Sequence, residues 1–238
     1  MPTRFVFRLI PFCATLVVAA AGIALGQWQT HRAEEKLALQ QRMQARGSEA
    51  PLSALPVDAS DAEFRQIRLR GHYLPQWTLY LENRPYNGVV GFHVLTLFQP
   101  EGSGPAVVVA RGWAPRDAAD RTRVPQVPPP SGITEVEGIL RRDAGHVLQL
   151  GTADAPRPQA ILQNLDVPAL AKASGVPLAP LVIEQRGAAG DTLVRDWPAP
   201  SLGIDRHRGY AVQWYALTGM ALLFFIVTGF KRGRHDKA

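Results

Sequence analysis

Two long uncharged apolar runs frame a chain whose middle is a series of short alternating ones. Residues 9–28 read LIPFCATLVVAAAGIALGQW and residues 209–230 read GYAVQWYALTGMALLFFIVTGF. A helix rises 1.5 Å per residue, so about 20 apolar residues cross ~30 Å of hydrocarbon. The pattern predicts transmembrane helices over 9–28 and 207–230. The first run opens on Arg4 and Arg8 and offers Ala24-Leu25-Gly26 as a cleavage site, so a signal peptide is the alternative. Its apolar core is longer than a signal peptide's, and it flows without a loop into the polar helical pattern WQTHRAEEKLALQQRMQ. A retained span extended by a helix over 29–46 is therefore expected.

Between the runs the period shortens to two. FRQIRLRGHYL (64–74) sets Phe64, Ile67 and Leu69 against Arg65, Arg68 and Arg70, with one register slip. WTLYLENR (77–84) alternates more cleanly. VVGFHVLTLFQ (89–99) and PAVVVARGW (105–113) are continuously apolar, as inner strands are. ITEVEGILRR (133–142), QAILQNLD (159–166) and LVIEQRG (181–187) bring the expected strands to about seven. Pro-Tyr-Asn-Gly (85–88) is a turn, and VPALAKASG (167–175) reads as one short helix ending at Gly175. The expected fold is thus an α+β membrane protein. Two transmembrane helices flank a mainly antiparallel β domain, barrel-like or a curled sheet, with a small inserted helix.

Charge sets the expected orientation. Of 26 Lys+Arg and 20 Asp+Glu, seven and one respectively lie outside residues 29–206, so that stretch is neutral and the flanks carry the whole +6. Basic residues precede the first run and follow the second, which by the positive-inside rule puts both termini in the cytoplasm. The expected organisation is a cytoplasmic N-terminus (1–8), span one (9–28), a periplasmic β-rich domain (29–206), span two (207–230) and a cytoplasmic basic tail (231–238) in a bacterial inner membrane. A neutral exported domain removes the case for nucleic-acid binding.

Candidate chemistry is sparse. The single cysteine, Cys13, lies in span one, so the exported domain has no disulfide, thiolate nucleophile or cysteine metal site. No phosphate-binding loop, dinucleotide fingerprint, HExxH or GxSxG occurs, and the six histidines (31, 72, 93, 146, 207, 235) form no i,i+3 or i,i+4 pair. A catalytic constellation, which a membrane-anchored periplasmic enzyme requires, is not found. His207 stands apart because His207, Tyr210, Ala211, Trp214 and Thr218 share one helical face at the mouth of span two. Two readings remain: an interfacial aromatic belt with a snorkelling cation, or an imidazole offered to a haem iron with Tyr210 and Trp214 flanking the macrocycle. Gly22 and Gly26 form a GxxxG pair on which span two can pack.

LGQWQTHRAEEK (25–36), GHYLPQWTLYLENRPYNGVVGFHVLTLF (71–98), VVVARGWAPRD (107–117), VEGILR (136–141) and HRGYAVQWYAL (207–217), in this order between two spans, resemble the Surfeit-locus protein 1 family of cytochrome c oxidase assembly factors. The resemblance places the family motifs on Trp28, Gln29, Arg32 and Lys36, then on Asn83, Arg84, Gly88, Gly91 and Val94-Leu95-Thr96, then on Arg111, Gly112 and Trp113. Ala110 and Leu97 depart from the expected Asn and Pro. What it implies is a non-enzymatic chaperone of respiratory-chain biogenesis that helps insert haem A into the oxidase large subunit. Haem A would be bound transiently through His207, beside Tyr210 and Trp214, in contact with haem-A synthase and lipid and with no nucleic acid. The alternative is a scaffold that grips an oxidase intermediate and binds no haem. Arg84 and Arg111, at strand ends beside glycines, either reach haem propionates or a partner's acids, or form internal salt bridges.

Overall fold

The computed structural model describes residues 3–5, 7–57, 59, 61–120, 122–149, 154–197 and 202–232. In chain order the elements are β1 (Thr3–Phe5), α1 (Leu9–Gly47), β2 (Gln66–Tyr86), β3 (Val89–Pro100), β4 (Ala106–Pro115), β5 (Thr134–Arg141), β6 (Ile161–Leu162), α2 (Val167–Ser174), β7 (Leu178–Gln185), α3 (Ile204–Gly229) and β8 (Phe230–Arg232). They divide into two compact units, one of residues 1–42 with 200–238 and one of residues 43–199.

In the first unit, α1 and α3 are both long and apolar enough to cross a membrane. α1 is a single helix of 39 residues, so the apolar run and the polar extension are one rod of about 58 Å. Pro11 is tolerated because it falls in the first turn, where an N–H has no helical acceptor. α3 starts at Ile204, three residues before the expected span, after Gly203 in the left-handed region (φ 63°). β1 and β8 pair antiparallel, Thr3 with Arg232 to Phe5 with Phe230. That pairing takes up part of both expected cytoplasmic ends, and the remainder of the basic tail, 233–238, lies outside the described residues.

The two helices meet along a seam of small residues. Ala19, Gly22, Gly26, Gln29 and Ala33 are buried on α1, and Ala211, Thr218 and Gly229 on α3. A methyl group on Gly22 would collide with Thr218 Oγ1, and one on Gly26 with the Tyr215 ring. The GxxxG pair thus gives α3 room that a side chain would fill, as expected of helices that associate by van der Waals packing.

The second unit is built on a mixed six-stranded sheet. Its strands β2, β3, β4, β7 and β5 pair in that order, and β5 pairs back onto β2, so the hydrogen bonding returns on itself. Four of the six pairings are antiparallel; β4–β7 and β2–β6 are parallel.

The expected seven strands become six because the first two are one. β2 absorbs Pro75, Gln76 and Trp77 as a bulge, since Leu74 opposes Leu97 and Thr78 opposes Thr96. Thr78 Oγ1 closes that bulge by donating to the Pro75 carbonyl at 3.0 Å. The register slip near residue 64 has its cause in Phe64, which is buried with left-handed backbone (φ 71°) just before β2. The strand expected over 159–166 shrinks to the two residues of β6, because Asp166 turns the chain into α2 by accepting from Ala169 N at 2.9 Å.

Both faces of this sheet are covered. Ile67, Leu69, Phe98, Val109, Val136, Leu140 and Ile183 form a cluster that draws on all five strands of the circuit. The alternate residues Leu79, Leu95, Val108 and Val182 pack with Leu162 of β6 and Leu170 of α2. β4 is accordingly buried at nine of its ten positions, which is why its sequence shows no alternation.

Candidate functional site

His207 closes the first turn of α3 and is half-buried. Its Nδ1 is 2.7 Å from Oε1 of Gln29 on α1. Gln29 is 9% exposed and continues the seam of Ala19, Gly22 and Gly26 by one further turn. Among the described residues, His207 Nε2 has no hydrogen-bond partner. Two turns along α3, Trp214 is half-buried and lines an apolar groove of about 930 Å³ with Val18, Gly22, Leu25, Leu217 and Phe224. Tyr210 is 46% exposed. Of the three candidate haem contacts, Trp214 thus faces the groove, His207 faces Gln29, and Tyr210 remains open to its surroundings.

These residues can hold a metalloporphyrin in one respect. An imidazole with one ring nitrogen engaged and the other free is a competent axial ligand. A group of three or more His, Cys, Asp or Glu side chains able to hold a metal ion is absent among the described residues.

Of the remaining first-helix motif residues, Trp28 and Arg32 are exposed, and Lys36, seven residues from Gln29 on the same helical face, is half-buried. Trp28 is 51% exposed, the Arg32 guanidinium stands 5.9 Å from its ring centroid, and Arg32 Nη1 donates to Glu35 at 2.9 Å. Gln29 was the one member of that motif with a structural partner across the helices. The signal for it was present in the sequence as the three-and-four spacing 19, 22, 26, 29, 33.

The motif residues of the β unit are consumed inside it. Arg111 is fully buried in β4; its Nη1 donates to the Val127 carbonyl at 2.7 Å and its Nη2 to Pro128 and Asp191. Asp191 also accepts from Arg195 at 2.6 Å. Burial pushes the Asp191 carboxyl up, but the Arg195 hydrogen bond and charge, the Leu193 N–H and Arg111 hold it below the usual range. Tyr73 lies beneath the Arg111 guanidinium at 5.6 Å; burial pushes its phenol up to about 12, and it donates to Gln185 Oε1.

Arg84 is 6% exposed and donates to the carbonyls of Gly145 and Gln163. Its own carbonyl accepts from Trp113 Nε1 at 2.7 Å. Neither guanidinium is presented to solvent: Arg111 makes the internal salt bridge, to Asp191, whereas Arg84 is held by backbone carbonyls and not by a carboxylate. Asn83 is left-handed (φ 56°) at a one-residue bulge between Leu81 and Arg84. Asn87 and Gly88 (φ 47° and 79°) make the two-residue turn joining β2 to β3, where both positive angles match the twist of the strands. Gly91 leaves room for the Trp113 ring, which a methyl group would meet at 2.5 Å. Gly112 has φ 151° and sits against Leu193.

Of the other histidines, His72 and His146 are exposed, and His31 stands near Glu34 and Glu35. His93 is half-buried with its ring edge-on to Trp197, and His235 lies outside the described residues.

A sequence profile described as the SURF1 family matches residues 16–219. The chain belongs to the SURF1 family. That match includes the α1 side of the seam with Ala211 and Thr218 of α3, the Gln29–His207 contact and every motif residue of the β unit. Surfeit locus protein 1 of Xenopus tropicalis is similar at 28% identity over 228 residues, 85% of this chain and 70% of that protein. The mouse protein of the same name is 30% identical over 117 residues, 42% of this chain and 38% of its own length. The yeast cytochrome oxidase assembly protein SHY1 is 30% identical over 93 residues, 37% of this chain and 24% of that protein.

Proposed function

We propose that this SURF1-family chain is a membrane-bound assembly factor for haem-copper cytochrome c oxidase, and that it carries haem A transiently to the large catalytic subunit. Family membership and the name of the yeast relative support the assembly role. The single observation that supports the haem role is His207, whose Nδ1 is engaged by Gln29 while Nε2 has no hydrogen-bond partner among the described residues. When bound, haem supplies an iron that takes a nitrogen ligand. The chain's own part is to present that nitrogen; Trp214, two turns further along α3, lines the apolar groove. Carriage of this kind involves binding and release and no turnover, with haem-A synthase upstream and the oxidase subunit downstream.

In this reading α1 and α3 span a bacterial inner membrane. Arg4, Arg8 and the basic residues after 230 hold both termini on the cytoplasmic side, and the neutral β unit lies in the periplasm. The test is a visible spectrum of the detergent-purified chain from cells that make haem A, compared with His207→Ala. A haem A spectrum in the first and its loss in the second is the expected result. Two colourless, folded preparations would replace it with the scaffold reading. One observation favours that second reading: Arg84, Arg111 and Trp113 are engaged inside the β unit, so that unit offers no prepared cofactor contact from its motifs.

A further inference from the structure

We infer that Gln29 is a positioning residue for His207: it fixes the imidazole in the tautomer that carries its proton on Nδ1 and turns the Nε2 lone pair outward as the ligand atom. This rests on the haem reading above and deepens it.

The argument begins with cost. Gln29 is buried in a seam otherwise made of Ala and Gly, where an amide without a partner is expensive to keep. A leucine at that position would fill the space with no polar atom to satisfy. The amide oxygen lies 2.7 Å from His207 Nδ1, the distance of a good hydrogen bond. A carbonyl oxygen only accepts, so Nδ1 must carry the hydrogen. A neutral imidazole has one N–H, and the lone pair is then on Nε2. Free imidazole side chains favour the opposite tautomer, with the hydrogen on Nε2 and no lone pair there to give. The protein therefore uses a contact from one helix to set the chemistry of a side chain on the other. The same contact fixes the ring's rotation about its Cβ–Cγ bond, so both the identity and the direction of the free nitrogen are set. A hydrogen bond from the second ring nitrogen to an acceptor is the usual means by which proteins orient and strengthen an imidazole ligand.

The geometry also explains why the pair sits where it does. Gly26, one turn before Gln29, admits the Tyr215 ring so closely that the helices are in contact there. Gln29 is the next inward position on α1, so it is the first side chain long enough to reach α3 after the glycines have brought the backbones together.

The test uses the full-length chain in detergent, labelled with ¹⁵N-histidine and free of haem, at a pH where the imidazole is neutral. The expected result for the unaltered chain is a protonated Nδ1 and a lone-pair Nε2 at His207, assigned by its disappearance in His207→Ala. Gln29→Leu should revert the ring to Nε2–H, and Gln29→Glu, whose carboxylate also accepts, should keep Nδ1–H. In parallel, haem A uptake should fall about 10–100-fold in Gln29→Leu and recover in Gln29→Glu. An Nε2–H tautomer in the unaltered chain, which is what the flipped amide would produce, overturns the inference. So does a Gln29→Leu protein that keeps both its tautomer and its haem uptake. If the tautomer switches as expected but the unaltered chain takes up no haem A, the haem reading fails, and ligand positioning fails with it. If the unaltered chain takes up haem A and Gln29→Leu does so equally well, only the role of Gln29 falls.

Discussion

The β unit and the helix pair treat their polar side chains in opposite ways. In the β unit, Arg111 has three acceptors and Arg84 two, and Asp191 is gripped from both sides by guanidinium groups. The hydrogen bonds these residues make all run to groups inside the fold, although the buried Nε atoms of Arg84 and Arg195 have no hydrogen-bond partner among the described residues. In the helix pair, His207 uses one ring nitrogen and keeps the other. A motif residue whose bonds all run to buried groups of the protein supports shape, whereas a half-buried imidazole with one nitrogen unengaged is available to something else. Both kinds sit within one family match, so membership alone does not separate them; the hydrogen bonds do.

The comparison breaks first, and hardest, at Arg111. Arg111→Met strips two backbone carbonyls of their donor and leaves Asp191 with Arg195 and the Leu193 N–H, which should cost about 3–5 kcal/mol. A large drop in the denaturation midpoint of the full chain, with haem uptake falling only as folded protein is lost, is the expected result. Loss of haem from a fully folded Arg111→Met protein would mean the guanidinium is not merely structural.

Next in size is the response to acid. Burial holds His93 down to about 4, with the Arg84 charge assisting. The unfolded chain takes up this proton below about pH 6.5 and the folded chain does not, so stability is full above that pH and declines as it falls toward 4. The window is worth up to about 3 kcal/mol, at 1.36 kcal/mol per pH unit. His93→Phe, which keeps a ring against Trp197, should flatten the slope between pH 6.5 and 4. An unchanged slope would put the titrating group elsewhere.

Gly91→Ala comes third. The added methyl meets the Trp113 ring and the Ala114 carbonyl, and the overpacking should cost about 1–3 kcal/mol. A near-neutral melting shift would show that β3 and β4 can separate without loss. Smallest of all is Arg32→Ala, which removes one exposed ion pair to Glu35 and a partial stack on Trp28. A change within about 0.5 kcal/mol is expected, despite the residue's place in a family motif.

Much of this architecture was legible because its signals are local. Uncharged length marked the two helices, Asn87-Gly88 marked the hairpin, and Gly175 marked the end of α2, whereas Asp166, read as the end of a strand, is its N-cap. What stayed hidden depends on residues far apart in the chain. β2 read as two strands because Pro75 looks like a break until Thr78 is seen to close the bulge. The parallel pairing of β4 with β7 leaves no trace in a period-two pattern, which is the same for either direction. The candidate imidazole was visible from its position at the mouth of an apolar run. Its partner was marked only by position: the spacing 19, 22, 26, 29, 33 puts Gln29 on the inward face of α1, but nothing local says which side chain of α3 it meets.

The bond between Arg111 and Asp191 joins residues 80 positions apart. A ribosome adding about 5–20 residues per second takes roughly 4–16 s to supply the second after the first. Throughout that interval β4 is made, apolar along nearly its whole length, with a charge at its centre and neither β7 nor Asp191 yet in existence. The unit cannot close as it emerges. Its nascent form exposes an open, aggregation-prone strand edge until the last third of the chain arrives, so the window of greatest vulnerability in the life of this protein falls before it is finished.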